Sequence, residues 1–204
     1  MNIENKIGFD NEKYLKTQSE HIRKRISQFG GKLYLEFGGK LFDDFHASRV
    51  LPGFKPDSKL QMLLQLKDEA EVVIVINSDD IEKNKLRADL GITYDADVIR
   101  LLGLFNKIGL YVSSVVLTRY DSQPTVDAFK NRIEELGIKV YHHYSIKGYP
   151  SNLSHIISDE GYGKNEYIET SRKLVIVTAP GPGSGKMATC LSQLYHEHKN
   201  GTNA

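Results

Sequence analysis

The residues Val72-Val73-Ile74-Val75-Ile76 form an unbroken apolar, β-branched run with no polar position in it. Successive side chains of a strand point to opposite faces. A strand of this composition must therefore be covered on both sides, as in a parallel sheet held between helical layers. Four more apolar runs lie at residues 33–37, 110–118, 139–144 and 174–178. Helical spacing fills the intervals, over residues 57–67, 95–107, 125–136 and 185–198. Val98, Leu101, Leu102 and Phe105 share one helical face, as do Val126, Phe129, Ile133 and Leu136. Gly109 and Gly137 mark helix-to-strand turns, and Pro124 marks a helix start.

Ahead of these units, Asp10 is an N-cap for a helix over residues 10–29. Its stripe is Leu15, Gln18, Ile22, Ile26 and Phe29, and Gly30-Gly31 ends it. Strands alternating with helices imply right-handed crossovers. The expectation is a Rossmann-like α/β fold: a mainly parallel sheet of about five strands, flanking helices and an N-terminal helix. Residues 1–204 read as one α/β domain, with the helix at 10–29, the sheet core at 32–198 and a long loop at 148–172. That loop holds Asp159-Glu160-Gly161-Tyr162-Gly163-Lys164-Asn165-Glu166. Loops of such length are often binding segments; a surface or oligomer-contacting loop is the plain alternative.

Parallel sheets of this kind bind ligands beyond the carboxyl ends of their strands. The loops predicted at that edge are rich in glycine, lysine, carboxylates and hydroxyls. They are Gly38-Gly39-Lys40, Asn77-Ser78-Asp79-Asp80, Arg119-Tyr120-Asp121, Ser145-Ile146-Lys147-Gly148 and the stretch from Gly181 to Lys186. The last follows an apolar run as Thr178-Ala179-Pro180-Gly181-Pro182-Gly183-Ser184-Gly185-Lys186 and leads into a helix. Strand, glycine turn, lysine and helix is the layout that wraps backbone N–H groups around a phosphate. The phosphate-loop pattern is matched in part. Pro180 stands where its first glycine belongs, and Met187 stands where a magnesium-holding Ser or Thr belongs. The candidate binding groups are Gly181, Gly183, Ser184, Gly185 and Lys186, with Gly38, Gly39 and Lys40 from the first strand's end. A proline-stiffened connector that binds nothing is the alternative.

Other residues carry weaker signals. Glu36, Asp79 and Asp80 are candidates to orient a metal or a substrate hydroxyl. Asn77, not an aspartate, caps its strand, however, and Asp80 reads equally as the start of a short helix. His46 has the chemistry of a general acid or base, but a histidine among aromatics is more often packed. Arg87-Ala88-Asp89 and Thr93-Tyr94-Asp95 read as solvated loop residues. His142-His143 cannot both face one ion from a regular strand, and no further ligand spacing supports zinc, so no metal site is assigned. Pro182 spoils a nucleophile elbow around Ser184, and Asn200 spoils a zincin helix at His196.

Composition limits the partners. The net charge of +1 offers no bulk attraction to nucleic acid or an acidic membrane. No apolar run approaches the roughly 20 residues that span a bilayer. The single cysteine, Cys190, excludes a disulfide within the chain. The N-terminal residues also lack a signal-peptide core, so a reducing cytoplasm is the expected setting.

Three long segments carry a family resemblance. They are Phe29-Gly30-Gly31-Lys32-Leu33-Tyr34-Leu35-Glu36-Phe37-Gly38-Gly39-Lys40-Leu41, Asp159 through Ile168, and Thr178 through Met187. With them the chain resembles an uncharacterised bacterial family catalogued as a domain of unknown function, some of whose members are labelled ATP-dependent peptidases. The resemblance implies a cytoplasmic protein, a nucleotide-binding-like α/β part and a longer full-length chain of which this is the N-terminal portion. The ATP half of that label suits the glycine loop; the peptidase half has no motif behind it. The leading expectation is a small phosphorylated ligand, ATP or another nucleotide, with magnesium optional and phosphoryl transfer or hydrolysis as the matching chemistry. The alternatives are a non-catalytic scaffold, with a second copy of the chain as partner, and an enzyme acting on a small phosphorylated metabolite.

Overall fold

The computed structural model describes residues 8–38, 41–42 and 45–204. In chain order the elements are α1 (Asn11–Phe29), β1 (Leu33–Glu36), α2 (Phe45–Val50), α3 (Ser58–Leu64), β2 (Ala70–Asn77), α4 (Ser78–Glu82), β3 (Leu86–Arg87), β4 (Ile92–Thr93), α5 (Tyr94–Lys107), β5 (Val112–Thr118), α6 (Pro124–Glu135), β6 (Lys139–His143), α7 (Leu153–Ile156), a 3-10 turn (Tyr162–Lys164), β7 (Leu174–Thr178) and α8 (Lys186–Lys199). Five strands form one parallel sheet in the order β1-β7-β2-β5-β6; β3 and β4 pair separately as a small antiparallel hairpin. This is the α/β, Rossmann-like arrangement expected, with the N-terminal helix in place. Asp10 caps α1 by accepting from the Lys13 N–H at 2.9 Å.

The unbroken apolar run of β2 is buried along its whole length, and its two faces serve two cores. Val72, Ile74 and Ile76 join Leu174, Ile176, Val115 and Leu117 under Ile22 and Ile26 of α1, Met62 and Leu63 of α3, Val98 and Phe105 of α5, and Val126, Phe129 and Ile133 of α6. Val73 and Val75 face the other way, with Val116, Val175 and Val177, against Ile168 and Cys190 of α8. The period-two alternation of a strand is thus present, with apolar residues in both phases.

The two layers shape the edge at the carboxyl ends of the strands. The connection leaving β2 reaches α5 on the first face, whereas β7 leads directly into α8 on the second. Neighbouring strands whose outgoing connections take opposite faces open a crevice beyond their carboxyl ends. Here that crevice lies between β7 and β2, which pair in register from Ala70↔Leu174 to Ile74↔Thr178.

The stretch expected to be a long loop at 148–172 is more ordered than that. It contains α7 and the 3-10 turn, and it buries Tyr162, Asn165 and Ile168. Gln193 of α8 fastens it with two backbone bonds, accepting from the Ile168 N–H at 2.9 Å and donating to the Ile168 carbonyl at 3.0 Å. This segment and α8 together form the second layer. Its polar, glycine-rich composition conceals the packing because side-chain amides, rather than an apolar stripe, hold it.

Candidate functional site

Two cavities flank the glycine loop between β7 and α8. The larger, about 620 Å³, is lined by Glu36 and Gly38 from the end of β1, by loop residues from Thr178 to Gly183, by Lys186, and by Arg87, Tyr94 and Arg100 from the β3–β4–α5 region. The smaller, about 370 Å³, is lined by Thr118 and Arg119 after β5, His143 and Tyr144 after β6, and Gly183, Gly185, Ala188 and Thr189. The expected gathering of strand-end loops along one edge is therefore present, and Gly183 is common to both walls.

The loop's shape follows from local contacts. A Cβ on Gly181 would stand 2.6 Å from Cζ of Tyr94, so the aromatic ring occupies the space a side chain would need. Gly185, at φ +92°, is the left-handed residue that turns the loop into α8, and Thr118 Cγ2 sits 3.0 Å from where its Cβ would be. Thr118 Oγ1 donates to the Ser184 carbonyl at 2.7 Å, and Asn77 Nδ2 reaches the Gly183 carbonyl at 3.4 Å. In a trans peptide the N–H opposes the preceding C=O. Fixing the Ser184 carbonyl toward Thr118 therefore turns the Gly185 N–H away from β5. That N–H and the N–H of Lys186 donate to no protein group among the described residues, as expected at a helix start.

Lys186 begins α8 with its side chain only 11% exposed, and its ammonium stands 3.8 Å from a Glu36 carboxylate oxygen. A second cation cluster lies across the larger cavity. Arg87 meets Asp97 at 2.7 Å and Asp89 at 3.0 Å, and Arg100 meets Asp97 at 2.7 Å. Burial opposes charge on Arg87, but its hydrogen bonds to Asp89 and Asp97 outweigh this and raise its pKa.

Of the residues singled out from sequence, Gly38, Gly181, Gly183 and Lys186 share the larger cavity. Gly185 lines the smaller one, and Ser184 is buried between them with its hydroxyl unpartnered. Gly39 and Lys40 lie outside the described residues, as does the side chain of His46. Asp79 and Asp80 do not join the loop: Asp79 pairs with Arg119 at 3.0 Å and Asp80 with Lys85 at 3.0 Å. His142 and His143 both meet Glu166, through different groups. His142 Nδ1 meets the Glu166 carboxylate at 3.0 Å, and His143 Nε2 meets the Glu166 carbonyl at 3.2 Å. Among the described residues no group of three or more His, Cys, Asp or Glu side chains is placed to hold a metal ion.

Arg100 was not singled out from sequence, and Arg87 and Tyr94 carried only a weak signal there. Arg87 and Tyr94 read as solvated loop residues, yet both are buried. The available signal was Asp97. It lies four residues before Leu101 on the apolar stripe of α5, so its carboxylate had to be buried against a cation. Asp97 is fully buried.

The family model described as "Domain of unknown function DUF1846, N-terminal" matches residues 7–204. A UPF0371 protein of Streptococcus sanguinis (strain SK36) is 60% identical over 196 residues, covering 96% of this chain and 40% of the relative. A UPF0371 protein of Streptococcus thermophilus (strain ATCC BAA-491 / LMD-9) is 59% identical over 196 residues, with the same coverage. One from Streptococcus pyogenes serotype M5 (strain Manfredo) is 58% identical over 195 residues. The chain spans about 40% of the length of the curated relatives it matches.

Proposed function

We propose that this chain, which belongs to the DUF1846 family, holds a phosphate-bearing ligand, with a nucleotide as the leading candidate, in the larger cavity at the β7–β2 crevice. The glycine loop then acts as a degenerate P-loop. One observation carries the reading: a cavity of about 620 Å³ at the switch point gathers Gly181, Gly183 and Lys186 with Gly38 from the neighbouring strand end. The volume falls within the ordinary range of small-molecule sites. Lys186 supplies the full positive charge and the start of α8 a partial one. Glu36 holds the ammonium near the cavity when no anion is bound, and a phosphate would compete for it.

Magnesium fits less well. Met187 is 56% exposed and lines neither cavity, while Asp79 and Asp80 are engaged by Arg119 and Lys85. The reading therefore includes no metal-dependent step, and binding is its content. A scaffold is the second reading, favoured by the packing of Tyr94 on Gly181 and by the Glu36–Lys186 pair, both of which give the loop residues structural work.

Calorimetric titration with ATP, with and without magnesium, on the wild type and on Lys186→Ala tests this. Binding weakened at least about tenfold by the substitution, a difference of about 1.4 kcal/mol, supports the site. Absence of binding by ATP in every condition defeats the nucleotide reading and favours the scaffold.

A further inference from the structure

The smaller cavity lies on the opposite side of the glycine loop and differs in charge. Among the described residues no Asp or Glu lines it, whereas Glu36 and Asp89 line the larger one. Arg119 stands at its edge, 61% exposed and paired with Asp79. The Lys164 ammonium lies 5.1 Å from the ring centre of Tyr144 on another wall. The first turn of α8, a helix of 14 residues, forms a further wall through Gly185, Ala188 and Thr189. N–H groups of a first helical turn lack intrahelical acceptors and carry partial positive charge.

A second observation points the same way. Thr189 is fully buried, lines this cavity, and its hydroxyl has no hydrogen-bond partner among the described residues. A buried hydroxyl left unpaired is costly. An acceptor entering from the cavity would satisfy it, and so would account for a polar residue at a position that packing alone would give to valine. Asn165 is not available for that purpose, since its amide is committed to the Tyr144 N–H at 2.8 Å and the Ser192 hydroxyl at 3.0 Å.

We propose that this smaller cavity is an oxyanion site separate from the larger one, taking a phosphate-sized group at the start of α8 with the Thr189 hydroxyl as a donor. The occupant is a free phosphate ion or the phosphoryl end of a small metabolite; both present the same tetrahedral oxygens. The inference uses neither Lys186 nor Glu36, although the two sites share Gly183 and the start of α8.

The test is titration of the full chain with inorganic phosphate, followed by calorimetry and by phosphorus NMR line broadening. The variants are Thr189→Val, Lys186→Ala, Ala188→Glu and Ala188→Gln. The expected result is saturable phosphate binding with a component that is weakened about fivefold or more by Thr189→Val and survives Lys186→Ala, which removes only phosphate held in the larger cavity. Should Thr189→Val fail to fold, the Ala188 pair decides. Glutamate is favourable in a first helical turn, so the fold is retained while phosphate is repelled, and Ala188→Gln supplies the uncharged control of equal size. Loss with Ala188→Glu well beyond that with Ala188→Gln supports the site. Binding abolished by Lys186→Ala but indifferent to Thr189→Val and Ala188→Glu moves the anion to the larger cavity and overturns the proposal. No phosphate binding by the folded wild type overturns it as well. Phosphorylated metabolites added in competition then distinguish the two sources: displacement of phosphate marks a metabolite site, and indifference a free-ion site.

Discussion

The Lys186 ammonium, at the first residue of α8, faces the Glu36 carboxylate at the end of β1 across 3.8 Å. The spacing is longer than a good hydrogen bond, so the pair is an electrostatic contact that a stronger acceptor can break. If a phosphate-bearing ligand uses Lys186, Glu36 is its internal competitor. Glu36→Gln should then tighten ATP binding several-fold at low salt, in keeping with the roughly 1 kcal/mol of an accessible ion pair. Calorimetry at two ionic strengths checks this. Weaker binding in Glu36→Gln would instead make Glu36 a ligand contact in its own right.

Tyr94 and Gly181 constrain the same cavity sterically. Gly181→Ala drives a methyl group into the Tyr94 ring, whose Cζ lies 2.6 Å from the new atom. Tyr94 is 7% exposed and packed in the main core, so it has little room to swing. The expected cost is about 1–3 kcal/mol of overpacking. In a Tyr94→Ala background the same change should cost markedly less. Urea unfolding of the four proteins of this double-mutant cycle measures the coupling, and strict additivity would show that the loop moves aside freely.

A buried carboxylate ties α8 to β1. Glu197, 1% exposed, accepts from the Tyr34 hydroxyl at 2.6 Å and the Tyr167 hydroxyl at 3.1 Å, and it pairs with Lys32 at 3.0 Å. Burial alone would raise its pKa, but the hydrogen bonds from Tyr34 and Lys32 outweigh this and lower it. Glu197→Ala leaves Lys32 without its charge partner and should cost about 3 kcal/mol or more. Tyr34→Phe, which removes one donor, should cost only about 1–2 kcal/mol. Equal losses in denaturant melts would mean that volume, rather than the charge network, matters there.

These relationships also show where sequence reading stops. β2 and β7 were legible because β-branched residues in both strand phases admit only a doubly covered strand. α1 was legible because Asp10 caps a clean stripe. Placement of the glycine loop at the carboxyl edge of the sheet followed from strand direction alone. Strand order was not legible, because β7 inserts between β1 and β2 through contacts such as Leu33↔Leu174, far apart in the chain. Nor was the Tyr34–Glu197 bond, whose partners are 163 residues apart. The β3–β4 hairpin has two-residue strands, too short for any period to register, yet it carries Arg87 into the cavity wall. In sequence Thr189 is no more than a hydroxyl near the glycine loop; its significance comes from burial without a partner among the described residues.

His143 gives the chain a pH dependence of definite sign. Its ring is almost wholly buried at the end of β6, with Nε2 against the Glu166 carbonyl at 3.2 Å, and His142, His196 and Glu166 are its charged or titratable neighbours. Burial lowers its pKa from 6.5 to about 4, an effect the Glu166 carbonyl only partly offsets. Between these values the unfolded chain binds a proton that the folded chain refuses, so folding stability rises with pH there. The contribution is fully present above pH 6.5 and is lost as pH falls toward 4, with a ceiling of about 3 kcal/mol. Carboxylates with lowered pKa, such as Glu197, begin from an ordinary value of 4.5 and are lost mainly at the lower end of that range or below it. Denaturant melts between pH 7 and pH 5 therefore report chiefly on histidines. His143→Gln keeps a side-chain N–H able to reach the Glu166 carbonyl but cannot titrate. Its stability should change less over this interval than that of the wild type. Parallel slopes for the two proteins would mean that His143 is not the source of the pH dependence.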